Sequence, residues 1–208
     1  MRTWLFDLGN TRLKCAQLHA DGSIDEPLAI AHDDGTAWLD ALPSGSVACI
    51  ASVASDVRRA ALFDALCARF TRLHRVRTER VLGPLRIAYD NPAHLGVDRF
   101  LSMLGQCGEG ASLVVGVGTA LTLDLLDGGG LHRGGRIAPS PRTMREALHA
   151  RAAQLPVEGG IYAEFADDTG DALASGCEGA ALALVERSLG AATALLGESP
   201  AVCLHGGG

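Results

Sequence analysis

One pattern of strand, glycine turn and strand occurs twice in this chain, and it constrains the fold more than any other feature. The first copy covers residues 4–14 (WLFDLGNTRLK) and the second covers residues 113–124 (LVVGVGTALTLD). In each copy an apolar run typical of a buried strand enters a turn, Gly9-Asn10 or Gly118-Thr119, and continues as a second apolar strand. Such a repeat predicts two similar domains.

The residues of the first turn suit phosphate oxygens. Gly9 can adopt a positive φ, and because it has no side chain a ligand can approach the backbone N–H groups of Gly9, Asn10 and Thr11. These donors, the Thr11 hydroxyl and the Lys14 ammonium all match phosphate, and Asp7 can hold a metal ion or a water beside it. A single hairpin of this kind is more often an ordinary turn. The second copy favours two phosphate-binding turns that face one nucleotide.

Length and composition set the class of protein. The chain has 208 residues, enough for two small domains, which we place at residues 1–108 and 109–208. A net charge of −6 and the lack of a Lys/Arg cluster argue against a general nucleic-acid-binding protein. Six cysteines without a C-x-x-C pair are typical of reduced thiols. We find no signal-peptide core and no apolar run long enough to span a bilayer, so we expect a cytoplasmic protein without membrane contact.

The remaining pattern predicts an α/β fold in which the order β-β-β-α-β-α is duplicated. Apolar runs predict further strands near residues 27–32, 47–53, 73–78, 131–137 and 201–204. Cap residues and helical periodicity predict helices at residues 36–42, 55–70, 96–104, from Ser140 onward, and 168–196. Residues 81–95 are rich in Pro, Gly and Asn, and a loop of this length is often functional.

Six short motifs resemble, in the same order, those of the type III pantothenate kinases, some of which are called Bvg accessory factors. The motifs are Asp7-Leu8-Gly9-Asn10-Thr11 with Lys14, Tyr89-x-Asn91-Pro92, Gly96-Val97-Asp98-Arg99, Gly118-Thr119-Ala120-x-Thr122, Gly134-Gly135-x-Ile137-x-Pro139 and Thr169-x-x-Ala172-x-x-x-Gly176. They span nearly the whole chain, so together they are a strong signal where each alone is weak. The resemblance implies two ribonuclease H-like domains, as in the sugar kinase, Hsp70 and actin superfamily, with a nucleotide cleft between them.

The resemblance also implies a reaction, in which the γ-phosphoryl group of ATP, bound with Mg²⁺, is transferred to the hydroxyl of pantothenate as the first step of coenzyme A biosynthesis. Asp98 is implied as the general base, and a carboxylate at a helix start is kept ionised by the helix dipole. The implied ATP-binding residues are Asp7, Leu8, Gly9, Asn10, Thr11, Arg12, Leu13, Lys14, Gly118 and Thr119. The implied pantothenate-binding residues are Tyr89, Gly96, Val97, Asp98, Arg99 and Thr169. A homodimer is implied as well, because the family's substrate site forms at a dimer interface.

Three positions depart from the family's pattern. Gly116 stands where the family usually has an aspartate that binds a monovalent cation, potassium or ammonium, so we expect kinase activity that is low or insensitive to this cation. Ser140 replaces a glycine after Pro139, and His205 replaces a threonine that precedes two glycines. The family's closing helix and strand are missing from the sequence, which predicts a truncated second domain.

Alternatives remain open for the function and for single residues. Loss of the aspartate at position 116 favours a non-catalytic relative that acts as a regulatory or binding protein, and a kinase of another small hydroxylated substrate fits the same fold. Asp98 and Thr169 could each serve only to cap a helix. Asp124 could supply the missing cation ligand. The long helix at residues 168–196, rich in small residues, suits either a dimer interface or a buried core.

Overall fold

The computed structural model describes residues 2–32 and 35–207. Its strands in these ranges are β1 Thr3–Leu8, β2 Arg12–Leu18, β3 Leu28–Ala31, β4 Gly45–Ser52, β5 Phe70–Arg75, β6 Val81–Leu82, β7 Leu85–Arg86, β8 Ser112–Val117, β9 Ala120–Leu126, β10 His132–Pro139 and β11 Ala201–Gly206. Its α-helices are α1 Asp56–Cys67, α2 Val97–Gln106, α3 Pro141–Arg151 and α4 Thr169–Leu196. Two short 3-10 helices cover Ala37–Ala41 and Pro92–His94. The predicted α/β class is confirmed.

The first sheet has the strand order β3-β2-β1-β4-β5 and positions the first turn. β1 pairs antiparallel with β2, with Asp7 opposite Lys14 and Leu8 opposite Leu13. On its other side β1 pairs parallel with β4. Because side chains alternate across a strand, Leu8 and Leu13 lie in the core, where both are fully buried, while Asp7 is exposed. The core therefore anchors both ends of the turn.

α1 connects β4 to the parallel strand β5 and contributes to the same core. Ser55 caps the helix by accepting a hydrogen bond from the Arg58 N–H at 3.4 Å. Leu62 and Leu66 lie one turn apart, so they share a face, and both are fully buried in one cluster with Ile50 of β4.

The second sheet has the order β10-β9-β8-β11, which repeats the first four strands of the first sheet. β8 pairs antiparallel with β9 and parallel with β11, as β1 does with β2 and β4. Leu121, Leu123 and Leu125 of β9 pack in one cluster with residues of α4, so Thr122 and Asp124 face the other side of the sheet. The predicted duplication is thus confirmed in the strand pairing, with α3 and α4 between β10 and β11.

The chain divides into two compact units. The first comprises Met1–Thr78 and Ala93–Phe100, and the second comprises Glu79–Pro92 and Leu101–Gly208. The boundary that we place between residues 108 and 109 stays a prediction.

The first turn does not use the conformational freedom of glycine, because Gly9 is not among the glycines with positive φ. One expectation from the sequence is wrong. The chain contains an apolar helix of spanning length, the 28-residue α4. By length and composition alone it could cross a membrane, a criterion that core helices of proteins outside membranes meet as well.

Candidate active site

The first turn is tight and is closed by its own backbone. The Gly9 N–H donates a hydrogen bond to the Arg12 carbonyl at 3.1 Å, so this N–H is not available to a phosphate. A Cβ on Gly9 would lie 3.4 Å from the same carbonyl oxygen, at the lower limit of ordinary contact. Asn10, Thr11 and Arg12 are exposed at the tip. The turn thus presents the groups at positions 10–12, and not the predicted Gly9 N–H.

Two side chains from elsewhere in the first unit hold this turn. An N–H of the Arg58 guanidinium donates to the Asn10 carbonyl at 2.9 Å. The His32 Nε2 lies 3.0 Å from the Gly9 carbonyl oxygen, and because a carbonyl only accepts, Nε2 must carry the proton. His32 is buried and packs against Trp38 with ring centroids 5.5 Å apart. Sequence analysis misses both contacts, since neither residue lies in a recognisable motif.

The ATP-binding residues expected at positions 7–14 divide into two groups. Leu8 and Leu13 are fully buried, so only their main-chain atoms remain for a ligand. Asp7 is exposed and Lys14 half-buried, and the two are cross-strand partners beside the turn. Opposite charges at such a spacing attract each other. The accessible side chains of this segment are thus those of Asp7, Lys14 and the exposed tip.

Asp98 lies in the first turn of α2 and is exposed, while Val97 and Arg99 on either side are buried. Its Oδ1 accepts a hydrogen bond from the Arg99 N–H at 2.8 Å. Asp98 therefore does help to satisfy the helix start, and its side chain is exposed at the same time. Because the Val97 side chain is buried, this residue offers a substrate only its main chain.

Gly96 leaves room for that carboxylate. A Cβ at position 96 would lie 2.5 Å from the Asp98 Oδ1 and 3.6 Å from a methyl group of Val53. The Val53 N–H in turn donates to the Leu8 carbonyl at 3.1 Å, directly before the first turn. The fold of the first unit thus brings the start of α2 to the strand end that carries the turn.

In the second unit, the turn at Gly118-Thr119 is exposed and is closed like the first one, by a hydrogen bond from the Gly118 N–H to the Ala120 carbonyl at 3.0 Å. The Thr119 carbonyl accepts a hydrogen bond from the Thr143 hydroxyl at 2.6 Å, and the Ser140 Oγ lies 3.2 Å from the same oxygen. Ser140 is also the N-cap of α3, as predicted, since its Oγ accepts from the Thr143 N–H. Ser140 therefore ties α3 to the second turn.

Gly116 is buried next to two side chains that face it. A Cβ at this position would lie 2.6 Å from the Thr122 Oγ1 and 2.8 Å from the His205 Nε2. Thr122 and His205 are the cross-strand partners of Gly116 in β9 and β11, so both lie on the same face of the sheet as the missing side chain. The His205 ring thus occupies the space beside Gly116 that a larger residue would need.

Asp124 has a partner of its own. Its Oδ1 lies 3.0 Å from the Nε2 of His132, and the two side chains are 3% and 0% exposed. These two atoms are close, but their arrangement does not meet hydrogen-bond geometry, so the contact is an electrostatic one. His132 stacks against Tyr89, the predicted substrate contact, with ring centroids 5.9 Å apart. The carboxylate of Asp124 is therefore committed to His132.

Thr169 is the first residue of α4, but Asp168 is the cap. The Asp168 Oδ1 accepts hydrogen bonds from the N–H groups of Gly170 and Asp171 at 2.7 and 3.1 Å. These two bonds hold the pKa of Asp168 below its ordinary value of 3.8, and the bond from Asp171 has the larger effect. The alternative in which Thr169 caps the helix is therefore wrong, and its exposed side chain is not needed for that purpose.

Burial raises the pKa of several thiols above the ordinary value of 9.0, among them Cys15 and Cys177. All six cysteines are free, as predicted, although Cys67 is exposed. Within residues 2–32 and 35–207 we find no cluster of three or more metal-binding side chains. Mg²⁺ that enters with a nucleotide needs only one or two carboxylates besides phosphate and water, and the exposed Asp7 suits that role.

Comparison with known proteins decides the family. The family profile described as type III pantothenate kinase matches residues 4–190. The chain belongs to this family. A type III pantothenate kinase of Stenotrophomonas maltophilia (strain R551-3) is 54% identical over 211 residues, which cover 100% of this chain and 87% of the relative. One of Xanthomonas axonopodis pv. citri (strain 306) is 53% identical over 210 residues, with the same coverage.

Solved structures support the fold of this type III pantothenate kinase family member. A Baf family transcriptional activator from Campylobacter jejuni superposes with a TM-score of 0.60 at 20% identity, over 88% of this chain and 78% of that one. A 2-dehydro-3-deoxygalactonokinase from Sinorhizobium meliloti superposes with a TM-score of 0.54 at 13% identity, over 99% and 86%. These likenesses agree with the two predicted ribonuclease H-like domains of the sugar kinase type.

Proposed function

We propose that this protein transfers the γ-phosphoryl group of ATP to the hydroxyl of pantothenate and so forms 4′-phosphopantothenate, the first step of coenzyme A biosynthesis. Membership of the type III pantothenate kinase family supports the reaction. The observation that carries it is the exposed carboxylate of Asp98, held at the start of α2 by the Arg99 N–H and next to the strand end of the first turn.

Asp98 is the general base in this proposal. Phosphoryl transfer passes through a loose transition state, so the carboxylate mainly orients the hydroxyl of pantothenate and accepts its proton as the new P–O bond forms. The carboxylate is exposed and lies at a helix N-terminus, where a negative charge interacts favourably with the helix dipole. The bond that breaks is that between the γ-phosphorus and the bridging oxygen of ADP.

The nucleotide is bound by the two turns. In the first, the exposed tip at positions 10–12 and Lys14 contact phosphate oxygens, and Asp7 holds the Mg²⁺ of the nucleotide through its carboxylate or a water. In the second, Thr119 contacts phosphate, with its carbonyl fixed by Thr143. Mg²⁺ bound with ATP offsets part of the phosphate charge during transfer.

The residues that bind pantothenate in this proposal differ in how far their side chains are exposed. Tyr89 is half-buried, and Thr169 is exposed at the start of α4. Gly96 and the main chain of Val97 line the approach to Asp98, and the buried Arg99 carries a charge that suits the carboxylate of pantothenate.

The test is ADP release in a coupled assay, with and without pantothenate. We expect release that depends on pantothenate and that falls on the order of a hundredfold to ten-thousandfold in the Asp98→Asn variant, because the amide cannot accept the proton. Nucleotide binding without turnover would support the regulatory relative instead. ADP release with another hydroxylated compound but not with pantothenate would support the third alternative.

We further propose that the protein works without a carboxylate-bound monovalent cation. Gly116 has no carboxylate, and Asp124, the alternative ligand suggested by the sequence, is buried and paired with His132. The His205 ring and the Thr122 hydroxyl fill the space next to Gly116. Without such a cation, part of the negative charge on the phosphates is not neutralised. We therefore expect kinase activity that is low or that potassium and ammonium do not change.

A homodimer is proposed from the apolar surface of the second unit. Phe165, Ile161, Leu182 and Leu195 are 99%, 76%, 56% and 56% exposed. A groove of about 550 Å³ between α3 and α4 is lined by Met144, Leu148, Leu173, Cys177 and five further residues. Large exposed apolar areas of this kind commonly mark interfaces, and a second copy is the occupant that the family's dimeric site favours.

Light scattering on the purified protein tests the dimer. We expect twice the chain mass for the parent and for Val57→Glu, which changes an apolar residue of α1 that is 81% exposed. Phe165→Glu is expected to give the single-chain mass, because a buried unpaired charge is unfavourable at an interface. A parent of single-chain mass at all concentrations would contradict the proposal.

We place the protein in the cytoplasm. Six free thiols suit a reducing compartment. One face of α4 packs on β8 and β9 through Ala192 and its neighbours, and the helix carries Glu178, Glu186 and Arg187, so it has the features of a helix packed on a sheet.

A further inference from the structure

A buried aspartate–histidine pair in the second unit takes no part in the phosphoryl transfer described above. Asp124 lies within β9 and His132 begins β10, and their side chains are 3% and 0% exposed. The His132 Nε2 lies 3.0 Å from the Asp124 Oδ1. Burial of a carboxylate is costly, and a well-packed apolar pair would fill the same space without that cost. The position of this pair next to Tyr89 suggests a reason for it.

The second ring nitrogen of His132 holds the residue that precedes Tyr89. The Ala88 N–H donates to the His132 Nδ1 at 3.4 Å. Because a backbone N–H can only donate, Nδ1 carries no proton, and the proton of the neutral ring is on Nε2, which faces Asp124. The carboxylate of Asp124 therefore favours the tautomer that can accept from Ala88.

The face of the same ring supports Tyr89. The two rings are nearly parallel, at an angle of 9°, with centroids 5.9 Å apart, which is an offset stack. Three residues before Tyr89, the Arg86 N–H donates to the Gly130 carbonyl at 3.0 Å. The segment that ends in Tyr89 is thus attached to the turn before β10 by its main chain and to His132 by a hydrogen bond and a stacked ring.

We propose that Asp124 and His132 are positioning residues for Tyr89 and, through it, for pantothenate. Asp124 sets the tautomer of His132, His132 holds Ala88 and stacks on Tyr89, and Tyr89 contacts the substrate. Neither Asp124 nor His132 touches the reacting atoms. The inference rests on the proposed function, in which Tyr89 binds pantothenate.

Three substitutions test the pair by kinetics. His132→Phe keeps a ring for Tyr89 but removes the acceptor for Ala88, and Asp124→Asn removes the charge without changing the shape. His132→Asn keeps an acceptor but removes the ring. In each we expect the KM for pantothenate to rise about tenfold, while kcat changes less than about threefold and the KM for ATP is unchanged. His74→Asn, at an exposed histidine of β5, is the matched control and should behave as the parent.

A second measurement, by ¹⁹F NMR, does not depend on kinase activity. Tyr89 and Tyr162 are the two tyrosines of the chain, so 3-fluorotyrosine labelling gives two ¹⁹F resonances, which Tyr162→Phe assigns. We expect the Tyr89 resonance to move in His132→Asn, which loses the ring current, and to stay in place in His74→Asn. Absence of pantothenate-dependent turnover in the parent would refute the proposed function, whereas the ¹⁹F shift would still test whether His132 positions Tyr89.

Two outcomes overturn the inference. In one, folded His132→Asn keeps both the parental Tyr89 resonance and the parental KM for pantothenate. In the other, kcat falls in all three variants with an unchanged KM, as expected if the pair only stabilises the fold.

Discussion

Replacement of Gly96 by alanine tests the role of Asp98 without touching its carboxylate. The new Cβ would lie 2.5 Å from the Asp98 Oδ1, whereas ordinary contacts of a Cβ begin at 3.4 Å. The carboxylate must therefore move by about 1 Å, and a displacement of that size at a reacting group costs on the order of a hundredfold in rate. The backbone accepts alanine, since Gly96 does not have a positive φ.

The loss should appear in kcat. A hundredfold fall corresponds to about 2.7 kcal/mol of transition-state stabilisation. Because the carboxylate is the mobile end of an exposed side chain, it can rotate away, and we expect the melting temperature to stay close to the parental one. Both quantities are measured on the same preparations, by coupled ADP release at saturating pantothenate and by thermal unfolding.

Gly105→Ala is the matched control. Gly105 lies in the same helix, α2, and a Cβ there would have no neighbour within 4 Å. Alanine stabilises a helix interior by about 1 kcal/mol relative to glycine, so this variant should be at least as stable as the parent and equally active. It separates a general effect of alanine in α2 from the displacement of Asp98.

The double variant Gly96→Ala/Asp98→Asn completes the test. If Gly96 acts only through the carboxylate, the double variant is no slower than Asp98→Asn alone, since residues that act as a unit are not additive. A Gly96→Ala protein with kcat within about threefold of the parent would refute the reasoning, and so would a rise in the KM for pantothenate with kcat intact, which would make Gly96 a binding residue only.

Three further perturbations have defined outcomes. Gly116→Asp combined with His205→Thr and Thr122→Ala should create stimulation by potassium, whereas Gly116→Asp alone should not, because its Cβ meets the Thr122 hydroxyl at 2.6 Å and the His205 ring at 2.8 Å. Strong stimulation of the parent in a potassium titration would contradict this. His32→Leu should raise the KM for ATP about tenfold through loss of one hydrogen bond to the first turn, and His32→Gln, which keeps a donor, should recover most of it. Asp168→Ala should lower stability at pH 7 and approach the parent as the pH falls below 3.8, because a carboxylate with a lowered pKa stabilises the fold only while ionised; equal pH profiles of unfolding for parent and variant would exclude this cap effect.

Local sequence determined the features whose causes are local. The strand–turn–strand repeat predicted two hairpins, and the structure has them at β1–β2 and β8–β9, because alternating burial and a glycine turn need no distant partner. Ser140 before a proline predicted the start of α3 for the same reason. The ordered motifs were enough to predict the family, which the comparisons confirm.

Tertiary structure decided what depends on residues far apart in the chain. The contact of His32 with Gly9 joins positions 23 residues apart, and that of His132 with Ala88 joins positions 44 apart. No periodicity encodes such pairs, because they arise only when strands and loops pack. For the same reason the sequence suggested Asp124 as a cation ligand, whereas packing pairs it with His132. Burial is equally a property of the packed fold. Because the side chains of Leu8 and Leu13 are buried, only their main-chain atoms can contact a nucleotide.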